Sequence, residues 1–418
     1  MKVQITADRL EGELEILSSK SDGHRILICA SLADKNSIIN INNTSEDIEA
    51  TIGCLRALGA GIERKENQLI VTPIREVPED VFINPKESGS TLRFLLPVTA
   101  ALTKKASFTG EGRLPERPLK DLQNAMEENG TSFSTENLPF ETNGRLKGKT
   151  FTMPGNVSSQ YISGILFAAP LMGEEVEIHL TSPLESSAYV DMTMETMKRF
   201  GIDVEYFESV FRVKKGSYKS PGEIDVEGDF SNAAFYLAAG ALEGTVVLKG
   251  LRKDTLQSDA KILDILEAAG ADIVRGEKVA VQKGKLQAIK VDLKEIPDLL
   301  PILAVIASVS EGESVFYNGE RLRYKETDRL ETTARMIRDL GGKAEETKDG
   351  LIIQGGSLSG GETSSFGDHR IAMAASIAAI KCEKEVIIDR AEAVNKSYPA
   401  FYEDYKSLGG QVHVIDNR

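Results

Sequence analysis

The stretch CLRALGAGIE, residues 54–63, closes an amphipathic helical pattern on Gly59 and runs straight into a strand. The same phrase returns as AMEENGTSF (125–133), TMKRFGIDVE (196–205), ILEAAGADIV (265–274), MIRDLGGKAEE (336–346) and DYKSLGGQVHV (404–414). Its glycines, at 59, 130, 201, 270, 341 and 409, are 68 to 71 residues apart, so six units fill the 418-residue chain. Gly just past a helix accepts the left-handed backbone that a side chain resists, which makes it the usual helix stop.

Each unit has a second landmark, the start of an Ala-, Leu- and Ile-rich helix. These open at SKSDGHRILICASL, ESGSTLRFLLPVTAAL, SSQYISGILFAAPLM, DFSNAAFYLAAGALEG, IPDLLPILAVIASV and GDHRIAMAASIAAI. Ser21, Ser90, Ser159, Ser231, Asp298 and Asp368 mark them at steps of 67 to 72 residues. Ser and Asp are helix-capping residues. A strand follows each helix (SIININN, KASFTGE, EVEIHLT, GTVVLKG, ESVFYNG, KEVIIDR), with further strand in connectors such as LIVTPI and GLIIQGG.

The unit is therefore helix, strand, helix, strand, an α/β (α+β) arrangement. Helices apolar nearly all round are buried helices, and three units around such a set make a domain of roughly 200 residues. A solenoid is the plainer reading of a repeat, but solenoid periods are mostly about 20 to 50 residues. Pro221-Gly222 marks the expected hinge.

The totals narrow the class. Hydrophobic content of 41% and charged content of 27% are ordinary for a globular chain. The start, MKVQITADRL, lacks a signal-peptide core, and the longest apolar run, near Leu299 to Ala307, is too short to cross a bilayer. Three scattered cysteines, Cys29, Cys54 and Cys382, suit a reducing compartment, so a cytoplasmic protein is expected. The four histidines show no ligand spacing, and no metal is expected. A net charge of −14 argues against a broad nucleic-acid surface. No phosphate loop or dinucleotide-binding glycine motif is present.

Against that acidic balance, RLRYKETDR (321–329) gathers four cations and two carboxylates in nine residues. Extended backbone would aim Arg321, Arg323 and Lys325 to one side. Other cations stand at the helix starts (Lys20, Arg25, Arg93, Arg370) or in the loops before the second helices (Arg117, Lys325, Arg329, Lys396). Helix N-termini carry free N–H groups and partial positive charge, so the combination fits phosphate and carboxylate recognition. Among the cations sit Asp298 and Glu326, readable as acid–base groups or as a helix cap and a surface ion pair. Asp328 reads as the cap of the following helix.

Nine motifs in order carry a resemblance: SKSDGHR (19–25), ESGSTLR (87–93), RLPERPL (113–119), SSQY (158–161), VEGDFS (226–231), IPD (296–298), RYKETDR (323–329), GDHRIAM (367–373) and NKSYPAF (395–401). Together they resemble the 5-enolpyruvylshikimate-3-phosphate synthase family of enolpyruvyl transferases over nearly the whole length. The resemblance implies two similar domains, each of three βαβαββ repeats with buried helices, and an active site in the interdomain cleft. Residues 17–222 would form one domain, and 1–16 with 223–418 the other. It implies transfer of the enolpyruvyl group of phosphoenolpyruvate to the 5-hydroxyl of shikimate 3-phosphate with release of phosphate, by a monomer using no cofactor.

By the same resemblance, Lys20, Ser21, Arg25, Ser158, Ser159, Gln160, Ser186, Asp298 and Lys325 would hold shikimate 3-phosphate. Lys20, Gly89, Arg117, Gln160, Arg329, Arg370 and Lys396 would hold phosphoenolpyruvate. Asp298 would take the 5-hydroxyl proton, Glu326 would protonate the enol methylene, and Lys20, the third catalytic residue, would lie between both substrates. Two such substrates bring about six negative charges together, which demands a ring of cations and exclusion of water.

The chain departs from the family's pattern at LSSKS (17–21), which lacks the usual Pro-Gly lead-in, and at Glu87, Ser90 and Phe94. A carboxylate at Glu87 needs to turn toward a cation such as Arg93 or Arg117. Two alternatives remain at this point. One is the sister enzyme acting on UDP-N-acetylglucosamine, which carries a reactive loop cysteine and a different entry motif. The other is a non-catalytic anion-binding module.

Overall fold

The computed structural model describes residues 1–416. Two compact units form, one of Ser18–Val226 and one of Met1–Leu17 with Glu227–Arg418. The break follows Val226 rather than Pro221-Gly222, because strand Glu223–Asp225 pairs in parallel with Ser37–Asn40.

The repeat is visible as six four-stranded sheets among the described residues. The second repeat shows the plan. Strand Phe82–Ile83 leads into helix Gly89–Leu102, then strand Lys105–Phe108, helix Lys120–Glu127 and strands Ser132–Phe133 and Phe140–Asn143. Phe82–Ile83 pairs in parallel with Lys105–Phe108, with Phe82 opposite Ser107. The last strand pairs antiparallel between its two neighbours. Parallel neighbours require a crossover, and the buried helix supplies it.

Three sheets borrow a strand from a distant part of the chain. Leu10–Glu15 completes the fourth repeat, pairing in parallel with Gly244–Lys249. Glu223–Asp225 completes the first, and Lys2–Thr6 sits between Val386–Asp389 and Gln411–Asp416 in the sixth. The helix-first unit suggested by periodicity is thus one strand out of frame with the folded repeat. Strands of three to six residues carry too little pattern to reveal their partners.

The six crossover helices are α1 (Lys20–Ser31), α2 (Gly89–Leu102), α3 (Ser159–Ala168), α4 (Phe230–Leu242), α5 (Leu300–Val309) and α6 (His369–Ala378). They fill the middle of their units. Each unit has its own apolar cluster, built on α1–α3 in one and α4–α6 in the other. Cys29 and Cys54 are among the packed apolar residues, and burial pushes the Cys54 thiol up to about 12, so both are core filler. The six helix-stop glycines all have positive φ, between 79° and 108°. None of the helices among the described residues is long and apolar enough to cross a membrane.

Candidate active site

In the unit of Ser18–Val226, polar groups collect at the helix starts. The caps are Ser19, Ser88 and Ser158, whose hydroxyls accept from the backbone N–H of Asp22, Thr91 and Gln160. Ser21 and Ser90 thus lie in the first turn, past the true caps. Lys20 opens α1 and pairs with Asp47 of helix Glu46–Ala57 at 3.0 Å. Thr51 of that helix bonds Thr91 of α2 at 2.6 Å and His24 Nδ1 at 2.7 Å. Gln160 Nε2 donates to Ser90 at 2.8 Å, and Arg93 donates to Gln160 Oε1 at 2.8 Å. These bonds tie the N-terminal ends of three crossover helices together.

Gly89 is needed for a close approach. A methyl group there would stand 2.6 Å from Arg117 Nη1 and 2.8 Å from Arg93 Nη1, so both guanidinium groups lie directly against the start of α2. The Glu87 carboxylate lies against the backbone of Gly112, which has φ of 54°. Arg25 points inward: it donates to the Ser21 carbonyl at 2.6 Å, the Tyr189 carbonyl at 2.7 Å and Thr193 at 2.9 Å. Its guanidinium is 5.1 Å from the Phe94 ring, and burial lowers its ordinary value to about 10. Arg25 thereby anchors helix Ser187–Arg199, which Ser186 precedes in left-handed backbone.

In the other unit, Asp298 lies in a short turn, Pro297–Leu299, ahead of α5, and its carboxylate caps no helix. It accepts from Arg329 at 2.7 Å, faces Arg370 at 3.3 Å and stands 3.4 Å from Lys325. Burial alone would raise the Asp298 carboxyl, but Arg370, Lys325 and Arg329 outweigh it and hold it well below the usual carboxylate range. Arg329 also donates to Glu326 at 2.6 Å and to Asp368 at 2.8 Å. Despite burial, Asp368, Glu326 and Asp298 hold its guanidinium above the ordinary value. Three cations and three carboxylates therefore form one connected, formally balanced cluster. Lys396 is buried at the end of the turn Ala391–Lys396, next to Ser397, whose hydroxyl donates to Asn232 of α4 at 3.2 Å.

The RLRYKETDR stretch is not extended. Glu320–Tyr324 is a tight helical turn, which takes Arg321 and Arg323 away from Lys325. Arg321 donates to the Lys294 carbonyl at 2.7 Å. Arg323 grips Asp328 at 2.8 Å, Glu346 at 3.0 Å and the carbonyls of Thr347 and Lys348. Asp328 caps helix Arg329–Asp339 by accepting from the Glu331 N–H. The two outer arginines are fasteners for the segment that presents Lys325, Glu326 and Arg329.

All the expected residues except Lys396 thus join a local cluster within their own units. Lys20, Ser21, Gly89, Arg117, Ser158, Ser159 and Gln160 belong to one, with Arg25 and Ser186 beneath it. Asp298, Lys325, Glu326, Arg329 and Arg370 belong to the other. Sequence reasoning missed Asp47, the partner of Lys20, and read Asp368 only as a cap. Asp47 follows a Ser cap in TSEDIEA, where an acid in the first turn reads as ordinary helix electrostatics. Among the described residues, no three His, Cys, Asp or Glu side chains are placed to hold a metal ion.

Residues 5–405 match the family model for EPSP synthase (3-phosphoshikimate 1-carboxyvinyltransferase). The chain is 42% identical over 419 residues to a 3-phosphoshikimate 1-carboxyvinyltransferase of Clostridium perfringens, covering 98% of each chain. It is 38% identical to the protein of that name from Methanocorpusculum labreanum, covering 99% of each. The solved EPSP synthase of Acinetobacter baumannii superposes with a TM-score of 0.83 over 99% of this chain and all of that one, at 24% identity, and so speaks for the fold.

Proposed function

Because the chain belongs to the EPSP synthase family, we propose that its two polar clusters carry the family's reaction residue by residue. The protein is a transferase of the shikimate pathway, moving the enolpyruvyl group of phosphoenolpyruvate to shikimate 3-phosphate. Asp298 is the group that takes the 5-hydroxyl proton as the oxygen bonds to the enol carbon. Glu326 delivers a proton to the methylene carbon in the same addition. In the elimination a methyl proton leaves, the carbon–oxygen bond to phosphate breaks, and inorganic phosphate departs.

One observation supports this assignment above the rest: Asp298 is kept ionised by Arg329, Arg370 and Lys325, with Glu326 on the same guanidinium. A general base must be deprotonated, and a proton donor must be close by. Glu326 accepts from Arg329, and the substrate anions, once bound beside it, supply the reason for it to hold a proton. Lys20, Ser21, Arg25, Ser158, Ser159, Gln160, Ser186, Asp298 and Lys325 are assigned to shikimate 3-phosphate. Lys20, Gly89, Arg117, Gln160, Arg329, Arg370 and Lys396 are assigned to phosphoenolpyruvate. The helix starts of α1–α3 supply N–H donors for these anions.

We also infer that the two compact units are the enzyme's domains, and that it works as a cytoplasmic monomer without nucleic acid. A single peak of monomer mass in size-exclusion chromatography is the expected result. The functional test is phosphate release from phosphoenolpyruvate. Release should require shikimate 3-phosphate and not be supported by UDP-N-acetylglucosamine, and Glu326→Gln should lower kcat about 100-fold. Near-normal turnover in that variant would remove Glu326 from the chemistry.

A further inference from the structure

Beside the catalytic cluster lies a carboxylate that the reaction as described does not use. Asp259, in the short turn Ser258–Lys261, is 1% exposed. Its Oδ2 accepts from the Ser231 hydroxyl at the start of α4. Its Oδ1 is buried and accepts no hydrogen bond from the described residues. Ser231 reaches onward, since its carbonyl accepts from Arg370 Nη1 at 3.4 Å. The same Arg370 group bonds the Asp298 carbonyl at 3.5 Å, and Nη2 faces the Asp298 carboxylate at 3.3 Å. A chain therefore runs from Asp259 through Ser231 and Arg370 to Asp298.

The charge on Asp259 needs an explanation. If the side chain merely held Ser231, asparagine would do so at lower cost, because a buried carboxylate with one donor is expensive. The cost has a use at Asp298. A base surrounded by Arg370, Lys325 and Arg329 is ionised but too weak, since the same cations that keep it charged resist its taking a proton. A further negative charge nearby, beyond those of Glu326 and Asp368, adds to its proton affinity.

We propose that Asp259 is a positioning residue whose negative charge, joined through Ser231 and Arg370, raises the proton affinity of Asp298 for removal of the acceptor hydroxyl proton. This rests on the assignment of Asp298 as base. Burial first, and then the charge of Asp298, push the Asp259 carboxyl up to about 6, while Arg370 and Ser231 pull it down. Electrostatic coupling is mutual, so the charge of Asp259 acts on Asp298 as Asp298 acts on it. The charged groups in play are Asp229 at the cap of α4, Asp298 before α5, Lys325, Glu326 and Arg329 on the loop and its helix, and Asp368 and Arg370 at α6. Above pH about 6 the charge is present and supports the base; below it, Asp259 is neutral and the support is gone.

The test compares kcat/KM of the full-length enzyme and Asp259→Asn between pH 5 and 8.5, with shikimate 3-phosphate and phosphoenolpyruvate. Ionisation of the substrates cancels in the ratio. The wild-type to variant ratio should be close to one at pH 5 and rise to roughly tenfold at pH 8, with its midpoint near 6. In an Asp298→Asn background, adding Asp259→Asn should cost nothing further. A ratio that stays constant with pH, or an undiminished loss in the double variant, overturns the proposal in favour of a structural role. Should Asp259→Asn not fold, Ser231→Ala decides. Loss of the hydroxyl should move the acid limb of the profile up by about half to one pH unit, and an unmoved limb overturns the idea. A wild-type enzyme that released no phosphate with these substrates would instead remove the functional reading itself.

Discussion

The two units use one repeat three times each and arm it in opposite ways. In Ser18–Val226 the crossover helices are capped by neutral hydroxyls, Ser19, Ser88 and Ser158. In the other unit the caps are acids, Asp229 and Asp368. A hydroxyl leaves the positive end of the helix available to an anion, whereas a carboxylate spends it internally. The first unit accordingly keeps its three crossover-helix starts open to anions. The second carries the balanced acid–base cluster, and its cations are already occupied by Asp298, Glu326 and Asp368. On the proposed assignment both units hold substrate, and only the second adds the proton-transfer pair Asp298 and Glu326.

The sharpest way to break this division is Asp298→Asn. It should lower kcat by about 1,000-fold with KM changed by less than about threefold, the mark of a group used in the transition state. An equally large effect from removing Ser158 would deny the division of labour.

Acid stability separates the units next. Burial lowers the His24 ring to about 3 in the folded chain, against 6.5 for an ordinary histidine. A depressed value means that its stabilising contribution is present above 6.5 and is lost as pH falls toward 3. At pH 5 the loss is about 2 kcal/mol, and His24→Gln should abolish it, as urea unfolding at pH 7.5 and 5 would measure. Asp259 in the other unit has the opposite sign. Its raised value penalises the ionised folded state, and that penalty is relieved as pH falls through about 6.

Gly89→Ala probes holding directly. The added methyl meets the guanidinium groups of Arg117 and Arg93. The KM for phosphoenolpyruvate should rise roughly tenfold while kcat changes little, since ground-state binding is what suffers. The mildest expected change is Arg323→Lys, which keeps the charge but loses the planar fork gripping Asp328, Glu346 and two carbonyls. About a threefold loss of kcat/KM, shared between both parameters, would fit a fastener of the Lys325–Glu326 segment.

Much of the fold was legible because the repeat is written in residues with local physical meaning. A glycine after a helix must be there for its backbone, and all six adopt the expected positive φ. The helix starts were placed to within two residues, the shift arising because Ser19-Lys20-Ser21 and Ser88-Gly89-Ser90 each offer two serines to cap with. The conformation of Arg321–Lys325 was misread because alternating charges look alike in a strand and on a turn. Asp259 gave no signal, since SDAK is an unremarkable polar turn until Ser231 and Arg370 are packed against it.

The sequence alone determined the number of repeats, the burial of six helices, and the residue types available for anions and protons. These follow from periodicity, capping and composition, all of which act over a few residues. Tertiary structure alone decided which strand completes each sheet, with Leu10–Glu15 and Glu223–Asp225 serving repeats far from their chain neighbours. It alone decided which acid answers which cation. A charge's effect depends on distance and burial in three dimensions, and residues 259, 298 and 370 acquire theirs only when three separate segments meet.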